Sequence, residues 1–405
     1  MPSYVDNTSV NGTQYFYVVS STNACGESVG NSIESHGTPA ATFSFAPATA
    51  VITWDDMNGA GQTGNLAAFN AVADKGTVSK IVAVGLGLTL IAGLSALPAL
   101  AYLDCNANSL TAINTSACPL LAYLVVEGNP NLSSVAPITC GTLDVFSFGN
   151  IAGGIPVSVS FPNLIHSLSA TGGIKLQINN GITSVSAPLA TYIDNTLLIQ
   201  DCPIVTTLSF PLLGGVGNTL QIVNDASLVS FSLPSAAIMA AVIITDNASL
   251  ASISMPILTQ CTTLIDISRN PSITGISQNS ITVVGNGGIT LSFNAALASI
   301  SMNGGVQIGG GLVGSLLACN DNPALTSADF TGASFPGVGG QATMNFQNCG
   351  LNQAAVDALL SLAVANGFNG DSVLLDGGTN SAPTNGALNA DYLTLIGAGN
   401  TVNTN

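Results

Sequence analysis

One phrase returns along this chain roughly every 21 to 27 residues: apolar-x-apolar, then Asn or Asp, then a second apolar patch. It reads LDCNANSLTAI at 103–113, LVVEGNPNLSSV at 124–135 and LQINNGITSV at 176–185. It returns as LQIVNDASLVSF at 220–231, VIITDNASLASI at 242–253, IDISRNPSITGI at 265–276 and LACNDNPALTSA at 317–328. A unit this short cannot bury its own apolar edge until neighbours stack on it, so the period specifies a solenoid. The 405 residues are therefore not read as two or three globular cores. About eleven coils at roughly 4.8 Å each would make a rod near 50 Å long.

Alternation within each first strand points every second residue inward. That predicts Leu220, Ile222, Val242, Ile244, Ile265 and Ile267 as core. Cys105 and Cys319 fall at the inward position held elsewhere by Val126, Ile222 and Ile244, where cysteine acts as a small buried hydrophobe. The eight cysteines contain no CxxC pair, which removes support for zinc and predicts mostly free thiols. Corner residues Asn108, Asn129, Asn224, Asn247, Asn270 and Asn322 are placed to bond backbone groups of adjacent turns. The uncharged stretch 81–103 is long enough to span a bilayer. Its Val82 and Val84 are nevertheless in phase with Leu103 and Cys105, and Gly85, Gly87, Gly93 and Pro98 sit at turn spacing. It reads as a buried first coil, with no membrane insertion.

Charge narrows the function. Four basic residues (Lys75, Lys80, Lys175, Arg269) stand against twenty acidic ones, for a net charge of −16. Nucleic acid binding needs clustered Lys and Arg, and there is no cluster. Hydrophobic content of 47% excludes a solvated, disordered chain. A surface of Asn, Ser, Thr and Gly suits a protein outside the cell or packed in an assembly. The start, MPSYVDNTSV, has no basic or apolar leader, which points to release by lysis inside a virus particle.

Residues 1–40 contain NGTQYFYVVSSTNACGES with alternation across Tyr15, Tyr17 and Val19. This resembles the last third of a fibronectin type III domain. Three of that family's seven strands would pack on the solenoid, pair with another subunit, or belong to a chain cut short. Residues 41–80 read as an N-terminal cap, with a strand around Val51–Trp54 and a helix near Asn65–Asp74; Trp54 is expected to cover the first coil. Over 81–350, LAYLDCNANSLTAI and LAYLVVEGNPNL match LxxLxLxxNxL, so the segment resembles leucine-rich repeats. GNTLQIVNDASLVSFSLPSA looks more like the receptor L-domain variant, whose second short strand would be VSFSLP and ASISMP. The resemblance implies a mainly β, leucine-rich-repeat or L-domain-like β-solenoid with parallel sheets and helical caps. Residues 351–405 read as a C-terminal cap, with a helix over LNQAAVDALLSLAVANG stopped by Gly367, a second near Ala387–Ile396 and a last strand at Thr401–Asn403. The VDALL helix, GGTNSAP and GNTVNTN resemble the ends of leucine-rich-repeat-like structural proteins of bacteriophages, which implies a virion fibre or adhesin.

Catalysis has little raw material: His36 and His166 lie in different units, and Glu occurs only at positions 27, 34 and 127. Asp201, Asp225, Asp246, Asp266 and Asp321 fall at or beside corners, one per coil, where Asp substitutes for Asn in turns; a calcium repeat would carry two per coil. GGVQIGGG (304–311) lacks the Lys-Ser/Thr of a phosphate loop. No catalytic, metal or cofactor site is expected. The outward strand positions remain: Asp104, Asn106, Glu127, Gln221, Asp266, Ser268, Asn294, Asn320, Asn345 and Gln347. Stacking would align them as a polar ladder for carbohydrate or protein. The expectation is a non-enzymatic virion structural or adhesion protein; a bacterial surface adhesin or self-assembling filament subunit is the alternative. Its partners would be other virion or filament subunits and a host-surface glycan or protein, in an oligomer or larger assembly.

Overall fold

The computed structural model describes residues 42–405 apart from 57–58, 73, 152–156, 168–171, 180, 310–313, 337–338 and 341. Before residue 42 it describes four short strands. Tyr15–Tyr17 pairs antiparallel with Ser35–Gly37, and Thr22–Asn23 with Gly26–Glu27. Val19, Cys25 and the rest of the fibronectin-like reading lie outside the described residues.

The repeat forms one long parallel sheet. Lys80–Val82 pairs with Tyr102–Asp104, which pairs with Tyr123–Val125, then Val145–Ile151, Gly173–Asn179 and Thr196–Gln200. The ladder continues through Gly215–Val223, Ile238–Thr245, Gln260–Ser268, Gly288–Thr290 and Leu316–Ala318. Register is in phase with the sequence repeat: Leu220, Val242 and Ile265 are consecutive partners, as are Ile222, Ile244 and Ile267. All six are buried. At roughly 1.5–3 kcal/mol per buried aliphatic side chain, these inward rows dominate the favourable side of folding. They stabilise only as a stack, because each row's neighbours lie in adjacent coils.

Each middle coil has two further sides. Short strands Val157–Ser160, Ile182–Ser186 and Thr207–Ser209 form a second parallel sheet; Ser230–Ser232 with Ser252–Ser254, and Gly275–Ser277 with Ser299–Ser301 and Ser327–Asp329, extend it. They include the VSFSLP and ASISMP segments, so the expected second short strand of these coils is present. A third row runs through His166–Ser167, Tyr192–Ile193, Gly215–Val216, Ile238–Met239, Gln260–Cys261, Val283–Val284 and Gln307–Ile308. Between this row and the main sheet the chain does not break. It bulges inside single strands, between Val216 and Thr219 and between Met239 and Ala241. The fold is mainly β: a parallel β-solenoid of three-sided coils.

A polar ladder lies inside the corner after each main strand. Asn247 Nδ2 donates to the Ile222 carbonyl of the preceding coil (2.9 Å). Asn270 donates likewise to Ile244 (2.7 Å), Asn294 to Ile267 (2.9 Å) and Asn322 to Leu291 (2.8 Å). Each Oδ1 accepts a preceding-coil backbone N–H: Asn247 Oδ1 from Asp225, Asn270 from Asn247, Asn294 from Asn270 and Asn322 from Asn294. Asn108 and Asn129 do the same nearer the N-terminus. One amide thus satisfies donors and acceptors that burial would otherwise leave orphaned. Asn224 is exposed, one residue too early, and Asp225 holds the rung in its place, fully buried. Cys202 and Cys349 occupy rungs too, and the Cys349 thiol points its weak donor at the Cys319 carbonyl (3.1 Å).

The residue before each rung takes positive φ: Ala107, Asp201, Asn224, Asp246, Arg269, Phe293, Asp321 and Asn348 lie between 53° and 63°. Turning a strand sharply enough to drop the next side chain inward requires this left-handed step, which L-residues adopt at a cost.

The ends are closed by packing. Trp54 is buried edge-on to Phe69 (5.2 Å), which packs at a tilt against Phe43 (4.7 Å). Phe69 lies on the helix Leu66–Asn70, capped by Asn65 and followed by a 3-10 turn at Lys75–Thr77. The antiparallel pair Ile52–Asp56 and Gly59–Gly64 extends the sheet beyond Lys80–Val82, through Ile52–Asp56. Beyond 350 the helix Gln353–Ala365 is capped by Asn352, buries Val356, Leu359 and Leu360, and stops at Gly367 with φ 69°. The parallel sheet runs on through this segment: Thr343–Asn345 pairs with Ser372–Leu375, and that with Thr401–Thr404. A second helix, Ala390–Gly397, packs between them in sequence.

Candidate binding face

The outward face of the main sheet carries three rows of side chains, one from each register position. Tyr102 and Tyr123 are partners in the first row. Their rings stack at 3.9 Å and 8°, and Lys80 Nζ lies 4.9 Å from the Tyr102 centroid. Burial within this stack, with a hydrogen bond that its hydroxyl donates to Tyr123, raises the Tyr102 phenol above its ordinary range. The pair is legible in the sequence as LAYL at 100–103 and again at 121–124, in phase with the repeat. Reading outward residues for polarity alone missed it.

Asp104 sits beside this stack, half-buried. Desolvation raises its carboxyl, and nearby Glu127 adds to the effect against hydrogen bonds from Asn106. Glu127 accepts a hydrogen bond from the Ser147 hydroxyl of the next coil. Tyr102, Tyr123, Asp104, Asn106, Glu127 and Lys80 make a compact amphipathic patch at the N-terminal end of the sheet.

The expected polar ladder is not continuous. Along the second row the partners read Asp104, Val125, Ser147, Lys175, Leu198, Gln221, Ile243, Asp266, Thr290, Ala318, Asn345 and Leu374. Gln221, Asp266 and Asn345 are therefore half-exposed polar groups in a row interrupted by Leu198, Ile243, Ala318 and Leu374. Polar character is continuous only in the third row toward the C-terminus. There Ser292 Oγ donates to Asn320 Oδ1 (2.7 Å), and Gln347 Nε2 donates to Asp376 Oδ1 (2.8 Å). Asn345 Oδ1 accepts from the Gln347 backbone N–H (3.0 Å).

Two of the ten residues are not available to a ligand. Asn294 is fully buried as a ladder rung, because the left-handed step at Phe293 turns it inward. Ser268 is 1% exposed and donates to Asp266. Period-two alternation placed both outward; it fails at Asn294 because the strand ends at the corner.

Beside the third row runs a ridge formed by the left-handed residues. Asn224 Nδ2 donates to Asp201 (2.6 Å), Arg269 forms the one ion pair among the described residues with Asp246 (2.8 Å), and Asn348 donates to Asp321 (2.9 Å). Corner aspartates are thus partnered along the stack. Among the described residues no group of three or more His, Cys, Asp and Glu is gathered to hold a metal ion. The seven described cysteines are free and buried; burial pushes Cys118, Cys140 and Cys349 up to about 11 and Cys261 to about 12. Such thiols are poor nucleophiles at neutral pH. No helix among the described residues is long and apolar enough to cross a membrane.

No protein-family model matches this chain, and no curated protein does. Among solved structures it is similar to the functional domain of InlJ from Listeria monocytogenes, described as including a cysteine ladder. Identity is 15%, over 78% of this chain and 76% of that one, with a TM-score of 0.24. At that score the likeness lends nothing to either fold or function.

Proposed function

We propose that this chain is a non-enzymatic structural and adhesion protein displayed outside a cell, with a bacteriophage virion as its setting. The observation that carries the reading is the patch of Tyr102, Tyr123, Lys80, Asp104 and Glu127 on a rigid sheet. Two stacked rings beside carboxylates and amides offer an apolar surface with fixed hydrogen-bonding groups, which suits a host glycan or a protein loop. Side chains already held across coils, such as Ser147 to Glu127, lose little freedom on binding. A sparsely charged surface rich in Asn, Ser, Thr and Gly fits close packing among other virion subunits.

A bacterial surface adhesin or filament subunit is the second reading. It is favoured by Gly59–Gly64, which among the described residues pairs only with Ile52–Asp56 and leaves an edge for strand addition.

The test is a glycan and cell-surface binding screen with the wild-type chain and Tyr102→Ala/Tyr123→Ala, together with immunogold electron microscopy of the source material. Binding reduced at least tenfold by the double variant, with label on particles, supports the first reading. Label on cell envelopes or filaments moves the protein to the second. Binding that ignores the two tyrosines removes this patch as the adhesive site.

A further inference from the structure

We propose that Asp225 is a neutral carboxylic acid in the folded protein below neutral pH, and that its proton serves as a hydrogen-bond donor in the buried ladder. The middle of the solenoid then contains a proton-linked joint. This inference rests on the fold alone and is independent of the adhesion reading.

Ladder geometry defines what this position must do. Every asparagine rung accepts one backbone N–H through Oδ1 and donates through Nδ2 to the carbonyl of the inward residue one coil earlier. Asp225 reproduces the accepting half: its Oδ1 takes the Cys202 N–H at 2.8 Å, and its own N–H donates to Asn247 Oδ1 at 2.9 Å. Its second oxygen therefore falls where the other rungs carry an NH2 group, facing carbonyls. That oxygen, Oδ2, is buried with no hydrogen-bond partner, in a residue that is 0% exposed. An ionised carboxylate would set a charged oxygen against backbone carbonyl oxygens, whereas a protonated one would complete the rung.

The surroundings favour the proton. On the preceding coil the neighbours are Cys202 and the half-buried Asp201, whose negative charge opposes a second one. On the following coil stand neutral Asn247 and, on the ridge, Asp246, already paired with Arg269. Within its own coil Asn224 donates to Asp201 rather than to Asp225. Desolvation, offset in part by the Cys202 N–H, pushes the Asp225 carboxyl up to about 7.

The sign of the linkage follows. A free aspartate ionises near 3.9, so between about pH 4 and 7 the unfolded chain has released a proton that the folded chain retains. Stability from this group is full below pH 4 and is lost as pH rises toward 7. Asp225→Asn supplies the missing donor permanently. Two measurements on the full chain decide the matter. Thermal unfolding of wild type and Asp225→Asn from pH 4 to 9 should show the variant's advantage growing up to about pH 7 and level above it. Site-resolved carbon NMR of the Asp225 carboxyl in wild type should show a midpoint near 7 instead of about 4. Parallel melting profiles, a carboxyl ionised by pH 5, or an Asn variant that fails to fold would each overturn the proposal. The NMR titration needs no variant, so a folding failure cannot leave the question open.

Discussion

Two buried aspartates in one molecule end in opposite states, and the contrast comes from counting donors. Asp371, 2% exposed, lies in the turn before Ser372–Leu375. Its carboxylate accepts from the backbone N–H groups of Gly339 (2.9 Å), Gly340 (2.7 Å), Ala342 (2.9 Å) and Asn369 (2.9 Å). Gly339 and Gly340 reach it with φ of 109° and 98°, angles that favour glycine. Desolvation acts against its charge, yet the four N–H groups together hold the carboxyl below its ordinary range. Asp225 receives one N–H and its other oxygen is buried without a partner, so desolvation wins and its carboxyl is raised. Burial by itself therefore does not decide whether a carboxyl is ionised; the balance of facing donors and acceptors does.

The largest effect is expected at Asp371. Asp371→Ala would leave the N–H groups of Gly339, Gly340, Ala342 and Asn369 without their acceptor, the Ala342 one buried, and cost about 3 kcal/mol, read as a shift in the denaturant midpoint. Asp371→Asn would be nearly as damaging, because an amide offers only one accepting oxygen. Because its folded carboxyl is depressed, Asp371 stabilises above about pH 4 and that stability is lost as pH falls further. Asp225 acts in the other direction between about pH 4 and 7, so wild type should be most stable on the acid side of neutrality. A stability maximum at pH 7 or above would break the contrast.

The next test writes the Asp225 situation into a normal rung. Asn270 Nδ2 donates to the Ile244 and Ser268 carbonyls at 2.7 and 3.0 Å. Asn270→Asp replaces that donor with a carboxyl oxygen. The expected loss is about 2 kcal/mol at pH 8 and markedly less at pH 5, where the acid is protonated and donates again. Chemical denaturation at both pH values checks it. An equal loss at both would mean that ladder carboxyls do not take up protons.

These features were unequally legible in the sequence. Inward rows such as Leu220, Val242 and Ile265 follow from alternation, because burial on one face is the strongest constraint on a strand. The rungs at Asn108, Asn129, Asn247, Asn270 and Asn322 were readable from the fixed offset after each strand. Alternation points to Asn224 where Asp225 holds the rung, and sets Asn294 outward where it is buried, because one left-handed residue per coil shifts the phase and composition does not mark it. Phe293 and Arg269 adopt that conformation although neither residue type favours it. The third row of strands escaped notice for a related reason: it joins the main sheet through bulges inside continuous strands, without turn residues to announce a corner. The tyrosine patch is written in the sequence as a repeated LAYL, which periodicity reveals and outward polarity does not.

The smallest expected effect isolates that left-handed step. Phe293 holds φ 61° with its ring 53% exposed, so it gains little packing to offset the strain. Phe293→Gly should stabilise by up to about 1 kcal/mol, since glycine adopts this conformation without the steric penalty but loses more entropy on folding. Gly128 occupies the equivalent step one residue before Asn129, with φ 61°. A Cβ there would lie 3.3 Å from Ala107 Cα and N, tight against a backbone that is itself in the left-handed region. Gly128→Ala should therefore destabilise by about 1 kcal/mol or more. Melting temperatures moving in opposite directions for the two variants would show that each coil holds strain where side chains replace glycine. Shifts of the same sign would place the effect in the unfolded chain instead, and the corner would owe its shape to the buried rung alone.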